Sequence, residues 1–284
     1  MRLKQFLFLE KKNLQIYLPL VLMLFNNPET FFVIAGPCVV ESKELCFETA
    51  AHLKTITTEL NIPFVFKASY KKANRSKLQA FSTIGEDKAL QILADVKSHF
   101  NIPILTDVHE TTDCEKVKDL VDVLQIPAFL CRQTELLIAA GKTGKIVNIK
   151  KGQFLSAEMM QFAAEKVAST NNQKIWLTER GTQFGYQDLI VDFRNIQQMK
   201  KMGYPVVFDA THSVQQPNQQ QGFSGGKPEF IDTLAKCAIV SGANGIFIET
   251  HPNPKTALSD GANMLDLKEV KTLFETLQQL HKIL

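Results

Sequence analysis

A cluster of positive charge is the first feature of this sequence that could do chemistry. Five basic side chains fall within eleven residues, namely Lys67, Lys71, Lys72, Arg75 and Lys77. Asn74 and Ser76 flank the arginine. Fixed cations beside N–H and O–H donors can replace the water shell of a phosphate or a carboxylate. The alternative interpretation is a solvated lysine-rich loop, because most lysines in proteins are exposed.

A second group of residues has the chemistry of a metal site. It contains one thiol, one imidazole and two carboxylates, from Cys38, His212, Glu249 and Asp260. Such donors can bind a borderline divalent ion, for example Zn²⁺, Fe²⁺ or Mn²⁺. The spacing alone is not specific, because a lone cysteine is more often a small buried hydrophobe. His251 also competes with His212 as the imidazole donor.

Alternating strand and helix patterns must position these residues. Short apolar runs, typical of buried parallel strands, predict strands at residues 31–35, 64–67, 104–107, 121–124, 146–149, 175–178, 206–209 and 245–249. Helical patterns occupy residues 41–60, 87–100, 112–120, 132–140, 156–169, 188–201, 228–241 and 267–284. Eight such units in about 250 residues indicate a single (β/α)8 TIM barrel. An open doubly wound sheet is disfavoured, because no G-x-G-x-x-G motif follows the first strand.

Ionisable residues collect at one end of the predicted strands. In a (β/α)8 barrel the chemistry gathers at the carboxyl ends of the strands. The cations there are Lys67, Lys72, Arg75, Lys150 and Arg180. They come from three strand ends, so a chance set of rim salt bridges is a poor explanation. A substrate with several negative charges, as phosphate and carboxylate, is expected.

Composition excludes some other classes of protein. The 284 residues are 45% hydrophobic and carry a formal charge of +3, which is too small to argue for nucleic-acid binding. Five cysteines form no C-x-x-C pair and are an odd number, so we expect a reducing, cytoplasmic location rather than a disulfide framework.

The first 30 residues read as an N-terminal extension to a catalytic barrel at residues 31–284. Basic residues precede an apolar run at residues 18–25, as in a signal peptide. The run is too short to span a bilayer, and no small-x-small cleavage site follows it. We therefore expect the natural start to be Met23, with residues 1–22 being non-native.

Seven motifs, in order, resemble the 3-deoxy-D-manno-octulosonate 8-phosphate synthase family. They lie at residues 34–42, 67–76, 106–109, 125–134, 148–154, 178–181 and 208–215, and the similarity runs from about Phe31 to Leu284. The resemblance implies a homotetramer of TIM barrels. It also implies condensation of phosphoenolpyruvate with arabinose 5-phosphate, with release of phosphate, in the cytoplasmic pathway to the lipopolysaccharide inner core.

The resemblance also assigns roles to residues. It implies that Lys67, Lys72, Lys150 and Arg180 hold phosphoenolpyruvate. Asn74, Arg75 and Ser76 would bind the phosphate of arabinose 5-phosphate, and Asp107, His109 and Gln215 would line the site near the reacting atoms. Cys38 matches the metal-dependent branch of the family, in which His212, Glu249 and Asp260 correspond to the other ligands of one divalent ion.

Some alternatives remain open. The family often has an acidic residue at the position of Lys71 and a small one at that of Lys77. The related synthase that uses erythrose 4-phosphate shares the Gly-Pro-Cys start but lacks the stretch at residues 73–76. A non-catalytic phosphosugar-binding barrel would need no metal set. A Schiff-base mechanism through Lys67 or Lys150 is a further rival, because barrel aldolases place their lysine at strand ends.

Overall fold

Eight parallel strands close into a barrel in the computed structural model, which describes residues 30–75, 77–216 and 225–284. The barrel strands are β1 (Phe32–Gly36), β2 (Phe64–Lys67), β3 (Ile104–Asp107), β4 (Val123–Ile126), β5 (Ile146–Lys150), β6 (Ile175–Glu179), β7 (Val206–Asp209) and β8 (Gly245–His251). They pair in chain order, and β1 pairs with β8 from Phe32 opposite Gly245 to Gly36 opposite Glu249. The predicted (β/α)8 barrel is confirmed.

Helices follow each strand and cover the outside of the barrel. They are α1 (Lys43–Glu59), α2 (Glu86–Phe100), α3 (Thr111–Val117), α4 (Thr134–Lys142), α5 (Met160–Ala168), α6 (Arg194–Lys200), α7 (Ile231–Val240) and α8 (Val270–Lys282). Their apolar faces pack with the outward side chains of the strands in one large core. Ser42 caps α1, because its hydroxyl accepts a hydrogen bond from the Leu45 N–H group at 3.1 Å.

The interior of the barrel is apolar at one end and polar at the other. Nine buried apolar side chains form a separate inner cluster, namely Phe32, Ile34, Val65, Leu105, Val123, Ile146, Trp176, Val207 and Phe247. The rings of Phe32 and Trp176 meet across the barrel at 4.8 Å between centroids. We call this cluster the apolar floor. It closes the amino-terminal end of the barrel.

Strand periodicity places polar side chains directly above the apolar floor. Successive residues of a strand point to opposite faces, so the residue two positions after an inward residue also points inward. Val65 is followed in this way by Lys67, and Leu105 by Asp107. The same step leads to Gln125, Asn148, Thr178, Asp209 and Glu249 on the other strands. The site described below is therefore built on the strands themselves.

Most differences from the predicted elements are shifts of their ends. Strand β4 begins at Val123 rather than at residue 121. The Asp122 carboxylate before it accepts hydrogen bonds from Lys97 Nζ and from the Ile104 N–H group. The shift puts Gln125 inside the strand, facing the barrel interior, and not beyond its end. Helix α6 begins at Arg194 and not at residue 188, because Thr182 and Ile190 pair in an antiparallel bridge first.

Three short strands that the sequence did not predict lie at the barrel mouth. Gln215–Gln216 pairs with Gly225–Gly226 in an antiparallel hairpin, and Leu265–Asp266 extends the sheet beside β8. Gly226 is required at its position, because a Cβ there would overlap the Asn263 side chain at 1.6 Å. Within the described ranges, no helix is both long and apolar enough to cross a membrane. The proposed extension and the Met23 start lie outside the described residues.

Candidate active site

A cavity of about 250 Å³ opens at the carboxyl ends of the strands. Its walls include most of the residues that the sequence singled out, namely Lys67, Lys72, Asn74, Asp107, His109, Lys150, Arg180, His212, Gln215, Glu249 and Asp260. These residues come from six strands or the loops after them. Of the remaining predicted residues, Cys38 lies behind the wall, Arg75 is outside it, and Ser76 is not among the described residues.

Two lysines in the cavity are paired with buried carboxylates. The Lys67 ammonium lies 2.5 Å from Glu249 Oε1 and 3.8 Å from Asp107 Oδ2, and it donates to the Cys38 carbonyl at 2.9 Å. Lys150 Nζ lies 2.7 Å from Asp209 Oδ2. Each lysine thereby has a counter-ion that offsets the cost of burying its charge. Both side chains are held at defined positions in the cavity wall.

Burial and charge pairing act in opposite directions on these groups. Burial alone would lower the pKa of Lys67, but the Glu249 and Asp107 carboxylates outweigh it and raise that pKa. Burial alone would raise the pKa of Asp107, but Lys67 and Lys150 hold it well below its usual range. Lys67 is therefore an ammonium and Asp107 a carboxylate at neutral pH.

Arg180 is held by the segment that follows β7. Its guanidinium donates to the His212 carbonyl at 2.9 Å and to Gln215 Oε1 at 3.0 Å. Its buried Nε–H group has no hydrogen-bond partner within the described residues. A buried guanidinium with a spare donor is suited to an anion that arrives in the cavity.

Three of the predicted metal ligands converge beside the lysines. Cys38 Sγ and one carboxylate oxygen each of Glu249 and Asp260 lie within 4.8 Å of one another. Glu249 Oε2 has no hydrogen-bond partner in the described part of the chain. Burial and the Glu249 carboxylate raise the pKa of the Cys38 thiol well above its usual value. Lys72 Nζ forms an ion pair with Asp260 Oδ2 at 3.2 Å and lies 2.8 Å from Cys38 Sγ.

The structure brings His212, and not His251, to this cluster. His212 Nδ1 lies 2.8 Å from Asp209 Oδ2, while its Nε2 lies 3.6 Å from Glu249 Oε2. The Asp209 carboxylate holds the ring through Nδ1, so Nε2 is the ring nitrogen that faces the cluster. His251 instead accepts a hydrogen bond on Nδ1 from the Asn253 N–H group, and its Nε2 faces Glu41.

The loop after β2 divides into a buried and an exposed part. Lys71 is paired with Asp113 at 3.1 Å and with Glu86 at 3.4 Å. Asn74 lines the cavity, whereas the exposed Arg75 guanidinium donates to the Ala80 carbonyl at 3.1 Å. The phosphate-binding role of this loop therefore stays a prediction. Lys71, unusual for the resembled family, has a local reason to be basic, because Asp113 faces it.

Comparison with known proteins identifies the family. A profile described as the DAHP synthetase I family matches residues 24–284. The chain belongs to this family. A protein of Francisella tularensis subsp. holarctica is 49% identical over 255 residues, which cover 90% of this chain and 93% of that protein. Proteins of Bartonella quintana and Brucella anthropi are also 49% identical, over 90% and 91% of this chain and 92% and 94% of their own lengths. All three are named 2-dehydro-3-deoxyphosphooctonate aldolase.

These comparisons confirm the resemblance that the seven motifs indicated. The family profile by itself carries the name of a different synthase. It therefore does not distinguish arabinose 5-phosphate from erythrose 4-phosphate as the second substrate. The names of the relatives do separate them, because they refer to the octonate product. Nearly the full length of each relative is matched, so the likeness extends over the whole barrel.

Several residues of this DAHP synthetase I family barrel were not among the predicted site residues. Ser69, Gln125, Gln153 and Phe129 line the cavity, and Asp209 lies directly behind it. Asp209 was visible as a strand end but had no evident partner. Its importance follows from its two neighbours, Lys150 and His212, which only the closed barrel brings to it. The step of two residues along each strand is the signal that would have found Gln125.

Proposed function

We propose that this protein condenses phosphoenolpyruvate with D-arabinose 5-phosphate and water to form 3-deoxy-D-manno-octulosonate 8-phosphate and phosphate. The observation that carries the proposal is the cavity at the barrel mouth, in which four cationic side chains converge beside a thiol–carboxylate cluster. The names of the 49% identical relatives support the same product. The product belongs to the cytoplasmic route to the lipopolysaccharide inner core.

The cationic residues solve the main electrostatic difficulty of this reaction. The methylene carbon of phosphoenolpyruvate must bond to the aldehyde carbon of the pentose, while water adds to C2 and phosphate leaves. Both substrates are anions and repel each other. Lys67, Lys72, Lys150 and Arg180 offset that repulsion around phosphoenolpyruvate, and Asn74, Arg75 and Ser76 bind the phosphate of the pentose. Holding both substrates in this way places the reacting carbons together.

The polar residues above the apolar floor would face the reacting atoms. Asp107 lies in the cavity wall as a carboxylate, close to His109 in the sequence. Gln215 follows β7, on the opposite side of the barrel from β3.

Lys67 is less suited to a Schiff base, because a nucleophilic amine must be neutral and Lys67 is surrounded by three acceptors. Borohydride trapping of a lysine adduct with either substrate would support that rival mechanism.

We further propose that Cys38, His212, Glu249 and Asp260 hold one divalent ion, as Zn²⁺, Fe²⁺ or Mn²⁺. The donor set fits such an ion, and the unpartnered Glu249 Oε2 and the Nε2 atom of His212 face the same cluster. When bound, the ion would supply Lewis-acid polarisation at the aldehyde or at water. Lys72 contacts two of these ligands, Cys38 and Asp260, in the structure.

Metal dependence can be tested by removal and return of the ion. Chelation should abolish phosphate release, and Zn²⁺, Fe²⁺ or Mn²⁺ should restore it. Elemental analysis should find about one ion per chain in the purified protein, and none in a Cys38→Ala variant. The matched control is Cys237→Ala, at the exposed cysteine. Full activity of a verified metal-free protein would reject the assignment.

The substrate assignment is tested by measuring phosphate release from phosphoenolpyruvate with each aldose phosphate. We expect release with arabinose 5-phosphate and little with erythrose 4-phosphate or with phosphoenolpyruvate alone. The reverse preference would favour the related synthase. No release with either sugar from metal-loaded protein that still binds phosphoenolpyruvate would favour the non-catalytic barrel.

The homotetramer is the assembly that we propose for this chain. Several large apolar side chains are exposed on consecutive loops around one side of the barrel mouth and on the neighbouring helix α5. They are Phe129, Phe154, Met159, Phe162, Phe184 and Ile190. Exposed apolar groups that follow neighbouring strands are typical of a protein–protein contact, and self-association would cover them.

A further inference from the structure

A chain of buried hydrogen bonds runs around the inside of the barrel beneath the cavity. Thr178 Oγ1 donates to Asn148 Oδ1 at 2.6 Å, and Asn148 Nδ2 donates to Gln125 Oε1 at 2.9 Å. Gln125 Nε2 then donates to Asp107 Oδ1 at 2.6 Å. Ser69 Oγ donates to the other oxygen of the same carboxylate. The four residues from Thr178 to Asp107 lie on the consecutive strands β6, β5, β4 and β3, at the level above the apolar floor. We call them the inner chain.

The direction of the inner chain is determined by its last member. An ionised carboxylate can only accept hydrogen bonds, so Gln125 must present its NH₂ group to Asp107. Its carbonyl oxygen then faces Asn148, which must present an NH₂ group in turn. Asn148 Oδ1 consequently faces Thr178, whose hydroxyl must donate. One arrangement of the two amides satisfies every bond, and turning either amide over places two acceptors or two donors together.

The inner chain connects the cavity to residues that do not reach it. Asp107 and Gln125 line the cavity, whereas Asn148 and Thr178 are fully buried and absent from its wall. A buried polar group without its partner costs about 1–3 kcal/mol. Loss of the Asn148 amide would therefore leave the Gln125 carbonyl unsatisfied and free that side chain to rotate away from Asp107.

We propose that Asn148 is a positioning residue that acts through Gln125 to hold the Asp107 carboxylate in one orientation in the cavity. The proposal rests on the proposed function only in that Asp107 and Gln125 face the substrates. Asn148 itself is not part of the cavity wall. Its amide sets which atoms of Gln125 and Asp107 are available to them.

The test compares Asn148→Ala with a matched variant, Asn172→Ala. Asn172 is also a buried asparagine whose NH₂ group donates twice, to the Gly141 carbonyl at 3.1 Å and the Lys145 carbonyl at 2.8 Å. It lies in the turn before β6, at the end of the barrel opposite the cavity. It therefore reports the effect of losing a buried amide without disturbing the inner chain.

We expect Asn148→Ala to lower kcat by about 10- to 100-fold, as a displaced reacting group does, while the KM for each substrate changes less than about threefold, because the cations that bind the phosphates are untouched. Asn172→Ala should leave both parameters near their original values. Thr178→Ser, which keeps the hydroxyl, should retain more activity than Thr178→Val. Equal kcat values for the two asparagine variants would overturn the proposal.

A crystal structure of Asn148→Ala separates this proposal from the proposed function. We expect the Gln125 amide to leave the Asp107 carboxylate in that structure. Unmoved Gln125 and Asp107 side chains would overturn the positioning role even if activity fell. If the original protein proved inactive with every sugar phosphate, the proposed function would fail, while the crystal structure would still decide the role of Asn148.

Discussion

Asp113 is a single carboxylate on which several parts of the site depend. Its Oδ2 accepts hydrogen bonds from the backbone N–H groups of His109 at 2.9 Å and Glu110 at 3.1 Å. Its Oδ1 is paired with Lys71. Burial alone would raise the pKa of this carboxyl, but the hydrogen bonds from His109 and the pairing with Lys71 hold it well below its usual range. Asp113 thereby fixes the start of α3 and the backbone that carries His109.

Replacing this carboxylate should reduce stability in a pH-dependent way. A carboxyl whose pKa is lowered in the folded state stabilises the protein above its unfolded pKa of about 3.9 and loses that contribution as the pH falls below it. Asp113→Asn should therefore lower the free energy of unfolding by about 1–3 kcal/mol at pH 7. The difference from the original protein should shrink below about pH 4.

Urea unfolding at a series of pH values measures this effect. The control is Asp119→Asn, which removes an exposed carboxylate close to the same helix. A constant difference between the Asp113 variant and the original protein from pH 7 to pH 3 would show that the charge contributes nothing.

At the scale of elements, the segment from the end of β2 has two halves. The first half, with Lys67 and Lys72, is fixed, and the second half, with Arg75, is exposed. Lys67 and Lys72 are held by carboxylates and by Cys38, whereas Arg75 is exposed and bonded only to a nearby backbone carbonyl among its described contacts. The fixed half faces the deep end of the cavity. The exposed half is free to adapt to a second, outer ligand. This division agrees with the proposed partition of the two substrates along one loop.

Arg75→Ala tests that partition. Loss of a charged hydrogen bond to phosphate costs about 1.5–3 kcal/mol, so the KM for arabinose 5-phosphate should rise about 10- to 100-fold. The KM for phosphoenolpyruvate should change little. Initial-rate kinetics with each substrate varied in turn measure both constants, and Lys77→Ala in the same loop is the control. Equal increases in the two constants would mean that the loop is not divided between the substrates.

At the scale of the whole molecule, one group of exposed apolar residues follows the neighbouring strands β4, β5 and β6. Phe129 both lines the cavity and is half exposed. Loops from β4, β5 and β6 contribute most of the others. An assembly through this side would bring a second copy of the chain close to the cavity mouth.

A charge placed on this side should disrupt the assembly. Phe162 on α5 is 54% exposed, and Phe162→Asp would bury a carboxylate in a tetramer contact. Sedimentation velocity should detect a tetramer for the original protein and smaller species for the variant. Val240→Asp is the matched control, because Val240 is 57% exposed on α7. The same sedimentation coefficient for both variants would place the contact elsewhere.

Much of this site could be predicted because its residues end strands. Lys67, Asp107 and Asp209 each close a run of apolar residues, so the barrel order alone puts them at one rim. Cys38 could not be ranked above an ordinary buried cysteine from its own surroundings. Only the structure brings Asp260, from a loop more than two hundred residues away, to 3.1 Å from its sulfur.

Other features could not be predicted because they depend on how deeply a side chain lies in the barrel and on which way it points. His212 and His251 both follow the end of a predicted strand, and nothing local in the sequence tells them apart. Asp209 turns the ring of His212 toward the cluster, while the Asn253 backbone holds His251 away from it. Asn148 and Thr178 resemble ordinary strand residues. Their roles follow from hydrogen bonds across strands, which no single strand reveals.

The apolar floor determines how ligands enter and leave the cavity. Nine packed side chains, including the Phe32–Trp176 pair, seal the end of the barrel opposite the cavity. Substrates and products must therefore pass through the same mouth. Lys67 is buried and Asn74 is exposed, so a ligand at Lys67 would lie beneath one at Asn74, and we expect the deeper ligand to bind first. The barrel is thus a cavity with a single entrance.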